Sequence, residues 1–273
     1  MRLGIIIQAR IGSTRLPGKV MLPLPSHGTK TVLEHVVSRC KQVEEAAEVV
    51  IATTEAEADS VIVEEAERLG VLSFRGDEAD VLKRYYQTAK QFNFDTVMRI
   101  TSDCPCHDPK VLGDLVRKFI NSDTDYASNT LERTFPHGLD AEIFKFDALE
   151  KAFHSAQDIF YREHVTPYIY KSGLFKVVQL KQENNKNTSK IRVTLDTPED
   201  YGLLCAVFEF LGNKFDLLEL EELFAQKKWL SFINANILQK QLFDSEKDEI
   251  SAAINLLQNM DMHRAADVLK REA

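Results

Sequence analysis

Cysteine is scarce in this chain of 273 residues: only Cys40, Cys104, Cys106 and Cys205 occur, and no two form a Cys-x-x-Cys pair. That spacing gives no disulfide framework in a chain this long, so reduced thiols are expected. Cys104-Pro105-Cys106-His107 invites a metal reading, but a soft-metal site usually has wider cysteine spacing and a second ligand pair, and the chain offers neither. Net positive charge is also missing. The formal charge is −8, which argues against nucleic-acid or anionic-membrane partners, since these demand a basic face. Apolar runs are short, and none approaches the twenty residues that a membrane helix needs. Arg2 is followed by a brief apolar run without a cleavage site, so no signal peptide is expected and the cytoplasm is the expected location. Internal repeats and low-complexity tracts are absent as well.

Apolar residues make up 44% of the chain, enough to build the core of one large α/β domain. Apolar β-branched runs alternate with helical patterns. The spacing predicts strands near 3–7, 48–53, 71–74 and 95–100, with helices at 32–42, 58–69 and 79–92 between them. Repeated β-α-β order predicts a doubly wound, mostly parallel sheet with helices on both faces, a Rossmann-like arrangement. Asp108-Pro109 starts a further helix to about 121. Alternation over 139–146 and 175–180 predicts more strands, some of them antiparallel. A strand over 191–195 is expected to end at Asp196, where Thr197-Pro198-Glu199-Asp200 reads as a helix start. From about 213 the pattern is helical (216–227, 231–242, 246–258 and 261–271) with ordinary core spacing and no motif suggesting chemistry. The expected division is therefore a catalytic domain over 1–212 and a helical extension over 213–273 that packs on it or on a partner. Residues 183–189 read as a polar surface loop.

The most informative stretch lies at the start, where the strand pattern GIIIQAR (residues 4–10) runs into IGSTRLPGK (residues 11–19). Gly12 and Gly18 allow close backbone approach, Ser13 and Thr14 supply donors, and Arg10, Arg15 and Lys19 supply three cations. The loop leaves the C-terminal end of a buried strand, the place where open α/β sheets bind ligands. A triphosphate is the partner this charge calls for, with Arg presenting a donor fork and Lys a point charge. It is not a Walker A loop: five residues separate the two glycines and Val20 follows Lys19. Asp103 follows the strand near 95–100 and Asp196 follows the one at 191–195. Two carboxylates brought to the phosphates would hold Mg²⁺, a hard ion that prefers oxygen; capping and turn formation are the alternative roles for both. Asp140, alternating with Glu142, is either a third metal ligand, a sugar-hydroxyl acceptor or part of an exposed strand face.

QARIGSTRLPGKVMLPL (residues 8–24) resembles the opening of the sugar cytidylyltransferases, especially the branch named after spore coat polysaccharide biosynthesis protein F. FRGDEADVLKRYY (74–86), RITSDCP (99–105), YASNT (126–130), GLDAEIF (138–144), REHVTPYIY (162–170) and TLDTPED (194–200) resemble that branch in the same order, over about residues 3–212. The opening loop and DTPED are shared with the wider group that activates 3-deoxy-manno-octulosonic and sialic-type acids. The resemblance implies a nucleotidyltransferase that activates a surface-polysaccharide sugar of nonulosonic-acid type with CTP, using Mg²⁺ and releasing pyrophosphate, and working as a homodimer. It places Asp103 and Asp196 at metal-binding positions. Gln8 and Ala9, with Arg75, Asp80 and Arg84, would take the base and ribose, while Arg10, Gly12, Ser13, Arg15 and Lys19 would hold the triphosphate. Lys19, Arg10 and Asp103 would carry the chemistry. Asn129, Asp140, Glu142, Glu163 and His164 would border the acceptor sugar; a helix-surface role is the alternative for the last two.

Three positions depart from the family pattern. Gln8 replaces the Pro of the octulosonic-acid enzymes, Ser102 replaces a customary Gly beside Asp103, and His107 stands where an aliphatic residue is common. Strain at Ser102 would follow if that Gly takes a positive φ. Other readings are a sugar-1-phosphate nucleotidyltransferase using another NTP, a nucleotide-sugar-dependent glycosyltransferase, and a non-catalytic nucleotide-binding paralogue. For a glycosyltransferase, the only Asp-x-Asp match, Asp123-Thr124-Asp125, lies before an expected strand instead of after one.

Overall fold

A computed structural model of the chain describes residues 1–237 and 246–272. At its centre is strand β1 (Leu3–Gln8), buried from Leu3 to Ile7. Burial on both faces explains why it reads as a continuous apolar run instead of an alternating one. It pairs in parallel with β2 (Ala46–Thr54) on one side and β4 (Thr96–Thr101) on the other. β3 (Leu72–Gly76) extends the sheet beyond β2. Beyond β4 lie β6 (Glu142–Lys145), β5 (Tyr126–Ser128) and β7 (Val177–Gln179), giving the order β3-β2-β1-β4-β6-β5-β7. Only β6 runs antiparallel to its neighbours, so the sheet is the mostly parallel one expected.

Successive side chains of β1 point to opposite faces and build two cores. Ile5 and Ile7 meet α1 (Val32–Cys40), α2 (Ser60–Arg68) and α4 (Pro109–Asn121), through Leu33, Ile62 and Leu115 among others. Ile6 meets α3 (Val81–Gln91), α5 (Phe146–Ser155) and α7 (Pro167–Lys171), through Tyr85, Leu149 and Ile169. Between α5 and α7 lies α6 (Ile159–His164). A third core gathers Leu24, Leu139, Val193 and Leu195 against α8 (Pro198–Leu211), α9 (Leu217–Gln226) and α10 (Leu230–Ile233).

Two expectations need correction. The strand over 191–195 is not a sheet strand. It is an extended segment held by one bridge between Arg192 and His137 and by the bond from Leu195 N–H to Asp103 O at 2.8 Å. Its partners are loop backbones, so no ladder forms. The compact unit also runs on past 212: residues 1–235 form one unit and 236–273 another. Phe215, Leu220, Phe224 and Leu230 belong to the third core, so the chain cannot divide where the helical pattern begins. Of the helix expected at 231–242, α10 covers the start, and residues 238–242 lie outside the described residues. The second unit contains α11 (Glu246–Asn259) and α12 (His263–Glu272). No described helix is long and apolar enough to cross a membrane.

Candidate active site

Gln8 aligns with Ala52 of β2 and Thr101 of β4, so β1 and β4 end at one level and β2 runs two residues beyond it. From that edge emerge the basic loop, the Thr53-Thr54 corner and the Ser102-Asp103 turn. The loop is tied down at both ends. Ile11 N–H donates to Asp59 Oδ1 at 2.7 Å, while the Thr53 and Thr54 hydroxyls hold the other Asp59 oxygen. Burial alone would raise the Asp59 pKa, but these donors hold it below the ordinary carboxylate value. At the far end Gly18 N–H bonds Ile11 O at 3.1 Å, and Gly18 takes a left-handed φ of 69° with a side that faces open space. That turn aims Lys19 across the sheet edge.

Lys19 is where the site converges. Its Nζ lies 2.7 Å from Asp103 Oδ2, 3.0 Å from Asp196 Oδ1 and 2.6 Å from the Leu195 carbonyl oxygen. Arg15 reaches Asp196 Oδ1 at 3.1 Å. Burial opposes charge at both partners, but their attraction prevails. The Lys19 pKa is raised, and the Asp103 carboxyl is held down at about 2. Two carboxylates and a carbonyl thus surround one cation with hard oxygens. Among the described residues no group of three or more His, Cys, Asp or Glu forms a metal centre. Two carboxylates still suit Mg²⁺, which takes one or two from a protein and fills its octahedron with water and substrate phosphate. The residues present fit the ion.

The remaining candidates divide into two groups. Around the loop, Ala9 is buried, Gln8 is half-buried with Oε1 unpartnered, Gly12 is exposed and Ser13 half-buried. Arg10 pairs with Glu78 at 3.3 Å, both partly in solvent. Arg75 donates to the Thr54 and Ala56 carbonyls at 3.0 and 2.7 Å. Arg84 is 3% exposed, and its Nε and Nη1 find no acceptor. Asp80 instead caps α3 through Lys83 N–H and is gripped by Arg162.

The expected sugar-side residues are more deeply committed. Asn129 is buried and spans Leu139 O and Ala141 N–H at 2.7 and 2.9 Å. Glu142 is buried against Arg99, the Tyr126 hydroxyl and the Thr166 hydroxyl. Asp140 holds a two-pronged pair with Arg133, apart from Lys19. Glu163 and His164 lie on α6, where the His164 ring packs 4.9 Å from that of Phe160.

Ser102 is not among the described non-glycine residues with positive φ, so it carries no backbone strain of that kind. His107 is buried, with its ring nitrogens 2.6 and 2.9 Å from Cys104 O and Asp140 O, and so braces the turn after Asp103. Four residues at the site escaped sequence reasoning: Asp59, Arg192, Asp200 and Asn234. Only Asp200 left a signal, as the fourth residue of the Thr-Pro-Glu-Asp helix start.

A glycine-punctuated basic loop and converging carboxylates at one edge of this sheet define a nucleotidyltransferase. The particular family follows from comparison: the cytidylyltransferase family model matches residues 4–245, and the chain belongs to that family. An uncharacterised protein of Methanocaldococcus jannaschii is 36% identical over 253 residues, covering 90% of this chain and all of its own length. Spore coat polysaccharide biosynthesis protein SpsF of Bacillus subtilis is 32% identical over 215 residues, covering 78% of this chain and 88% of its own. The solved structure of a cytidylyltransferase from Leptospira borgpetersenii superposes with a TM-score of 0.79 at 35% identity, covering 89% of this chain and 99% of that one. The glycosyltransferase reading gives way to this membership. Asp123 and Asp125 precede β5, which runs parallel to β4, so they lie at the opposite sheet edge, paired with Lys176 and Lys145.

Proposed function

We propose that this chain is a cytoplasmic, Mg²⁺-dependent cytidylyltransferase that joins CMP from CTP to a surface-polysaccharide sugar of nonulosonic-acid type. A sugar hydroxyl oxygen attacks the α-phosphorus, the bond to the β-phosphate oxygen breaks, pyrophosphate leaves and the hydroxyl proton passes to solvent. The observation that carries the reading is the Lys19 ammonium seated between Asp103 and Asp196 at the mouth of the basic loop. Lys19 stands where a hard cation would sit. When CTP arrives, the Lys19 ammonium turns to the phosphates beside Arg10, Ser13 and Arg15, and both carboxylates are released. Asp103 and Asp196 would then hold Mg²⁺, which would offset negative charge on the phosphates. Gln8, Ala9, Arg75 and Arg84 surround the base and ribose in this reading, with Asp80 shaping that wall through α3. Asn129, Asp140 and Glu142 support the acceptor side through backbone and ion-pair contacts, and Glu163 and His164 border it. Family membership supports a cytidylyl donor, and the name of the B. subtilis relative supports a polysaccharide sugar. The reading includes a homodimer, which light scattering tests.

Thermal stabilisation by CTP, UTP, ATP, GTP and CMP, each with and without Mg²⁺, tests the nucleotide. A ligand at a hundred times its Kd stabilises by about 2.7 kcal/mol, a rise of roughly 5–10 °C for a domain of this size. The expected result is the largest Mg²⁺-dependent shift with CTP, followed by pyrophosphate release with a nonulosonic or 3-deoxy-octulosonic acid. Preference for another NTP with a sugar 1-phosphate would overturn the substrate assignment. A shift with CTP but no pyrophosphate release with any acceptor would leave a non-catalytic nucleotide-binding paralogue, and no shift with any triphosphate would overturn the reading.

A further inference from the structure

The two oxygens of Asp196 have different duties. Oδ1 faces Lys19 and Arg15, whereas Oδ2 accepts from Arg192 Nη2 at 3.0 Å. Arg192 is itself held by a two-point grip on Asp200, Nε to Oδ1 and Nη2 to Oδ2, both at 2.9 Å. Asp200 is fully buried, and its Oδ2 also accepts the backbone N–H of Asp196 at 3.0 Å. The remaining partner comes from the segment just after α10. Asn234, 6% exposed, donates from Nδ2 to Asp200 Oδ1 at 2.8 Å and to the Arg192 carbonyl at 3.2 Å.

Helix capping accounts for part of this. Asp200 is the third residue of α8 and completes a capping box with Thr197. A capping box requires neither an arginine four residues before Asp196 nor a buried amide from residue 234. Asp200 fixes the backbone N–H of Asp196 and Arg192 one of its oxygens, with Asn234 holding both partners, leaving the other oxygen aimed at the cation position.

We infer that Arg192, Asp200 and Asn234 form a positioning relay that sets the orientation of Asp196 and hence the affinity of the site for its divalent cation. The inference rests on the functional reading above. Each link is a hydrogen bond to a charged group, the strongest kind for holding orientation. Partners that orient a metal-binding carboxylate govern affinity without touching the metal. A residue of the C-terminal helical stretch, which carries no motif of its own, thereby acts on the site through Asp200 and Arg192.

The test uses the full chain with Arg192→Lys, which keeps the charge but loses the fork, and Asn234→Ala, which removes only the last link. Mn²⁺ binding to the protein saturated with CTP is followed by electron paramagnetic resonance, beside calorimetry of CTP without metal and the thermal midpoint. For Arg192→Lys, Mn²⁺ affinity in the CTP complex is expected to fall by about tenfold or more. Asn234→Ala should lower it less, and metal-free CTP affinity should be unchanged in both. Should Arg192→Lys fail to fold, Asn234→Ala decides. Unaltered Mn²⁺ affinity in a folded variant overturns the relay. So does an equal fall in metal affinity, metal-free CTP affinity and thermal midpoint, which marks a merely structural role. If the unaltered protein with CTP binds no Mn²⁺, the functional reading itself fails, and the relay falls with it.

Discussion

Lys19 holds two carboxylates that would repel one another without it. Removing its ammonium leaves Asp103 and Asp196 facing a space that Arg15, with Arg192 on the other oxygen of Asp196, neutralises only in part. Lys19→Ala is therefore expected to bind Mn²⁺ without nucleotide more tightly than the unaltered chain, while CTP affinity falls for want of the phosphate contact. Equal Mn²⁺ uptake by the two proteins, measured by titration, would refute the exchange of cations. Asp103→Asn separates the roles the other way: CTP binding stays measurable and Mg²⁺-dependent turnover is lost. The same pair sets a pH dependence. Asp103 has its folded pKa depressed from 3.8 to about 2, so its contribution is present above the unfolded value and disappears as pH falls through the folded one. That shift corresponds to about 2 kcal/mol. Lys19 is raised, so its contribution is complete below 10.5 and lost only as pH rises beyond that value. Urea midpoints should thus owe a drop between pH 4 and 2 to Asp103, and Asp103→Asn should flatten that drop.

The segment carrying Asp196 packs closely against a loop glycine. Gly138 has a φ of 111°, and a Cβ there would lie 2.6 Å from the Val193 carbonyl carbon. Gly138→Ala is expected to destabilise by at least ~2 kcal/mol, combining strain with a clash against backbone. Gly18→Ala meets nothing within 4 Å and should cost only the left-handed penalty of about 1–2 kcal/mol. Chemical denaturation of both variants gives the comparison, and similar losses would contradict this account of the Asp196 segment. The contrast also shows what sequence conveys. β1 to β4 and their helices are legible because continuous apolar runs and 3.6-residue spacing are local signals. The basic loop is legible because glycines and cations crowd ten residues. The 191–195 segment misled because it has the composition of a strand while its partners, His137 and Asp103, lie in loops. Asn129 and Glu142 sit within motifs yet spend their polar atoms on backbone and buried partners, a distinction that only tertiary contacts reveal. Asp59 and Asn234 act on residues 48 and 34 positions away, beyond any local pattern.

At the scale of the whole molecule, the length of chain that must stay together follows from the third core. Phe215, Leu220, Leu223, Phe224 and Leu230 are all buried beside Leu195, Leu203 and Val207. Burying one such side chain stabilises by about 1.5–3 kcal/mol. Losing five removes roughly 8–15 kcal/mol, as much as the whole stability of a typical domain. Arg39 strengthens the tie, since its buried guanidinium bonds the Phe215 carbonyl at 2.9 Å and lies 4.2 Å from the centre of that ring. A chain ending at residue 212 would leave Arg39 buried without this partner, and would lose Asn234 from the relay behind Asp196. It is expected to show no cooperative thermal transition and no response to CTP. A chain ending at Ala235 retains every residue of the three cores and should melt cooperatively with a CTP-dependent rise in midpoint. If the 1–212 chain instead melted cooperatively and responded to CTP, residues 213–235 would be an appendage, and the nucleotide-binding unit would end where the helical pattern begins.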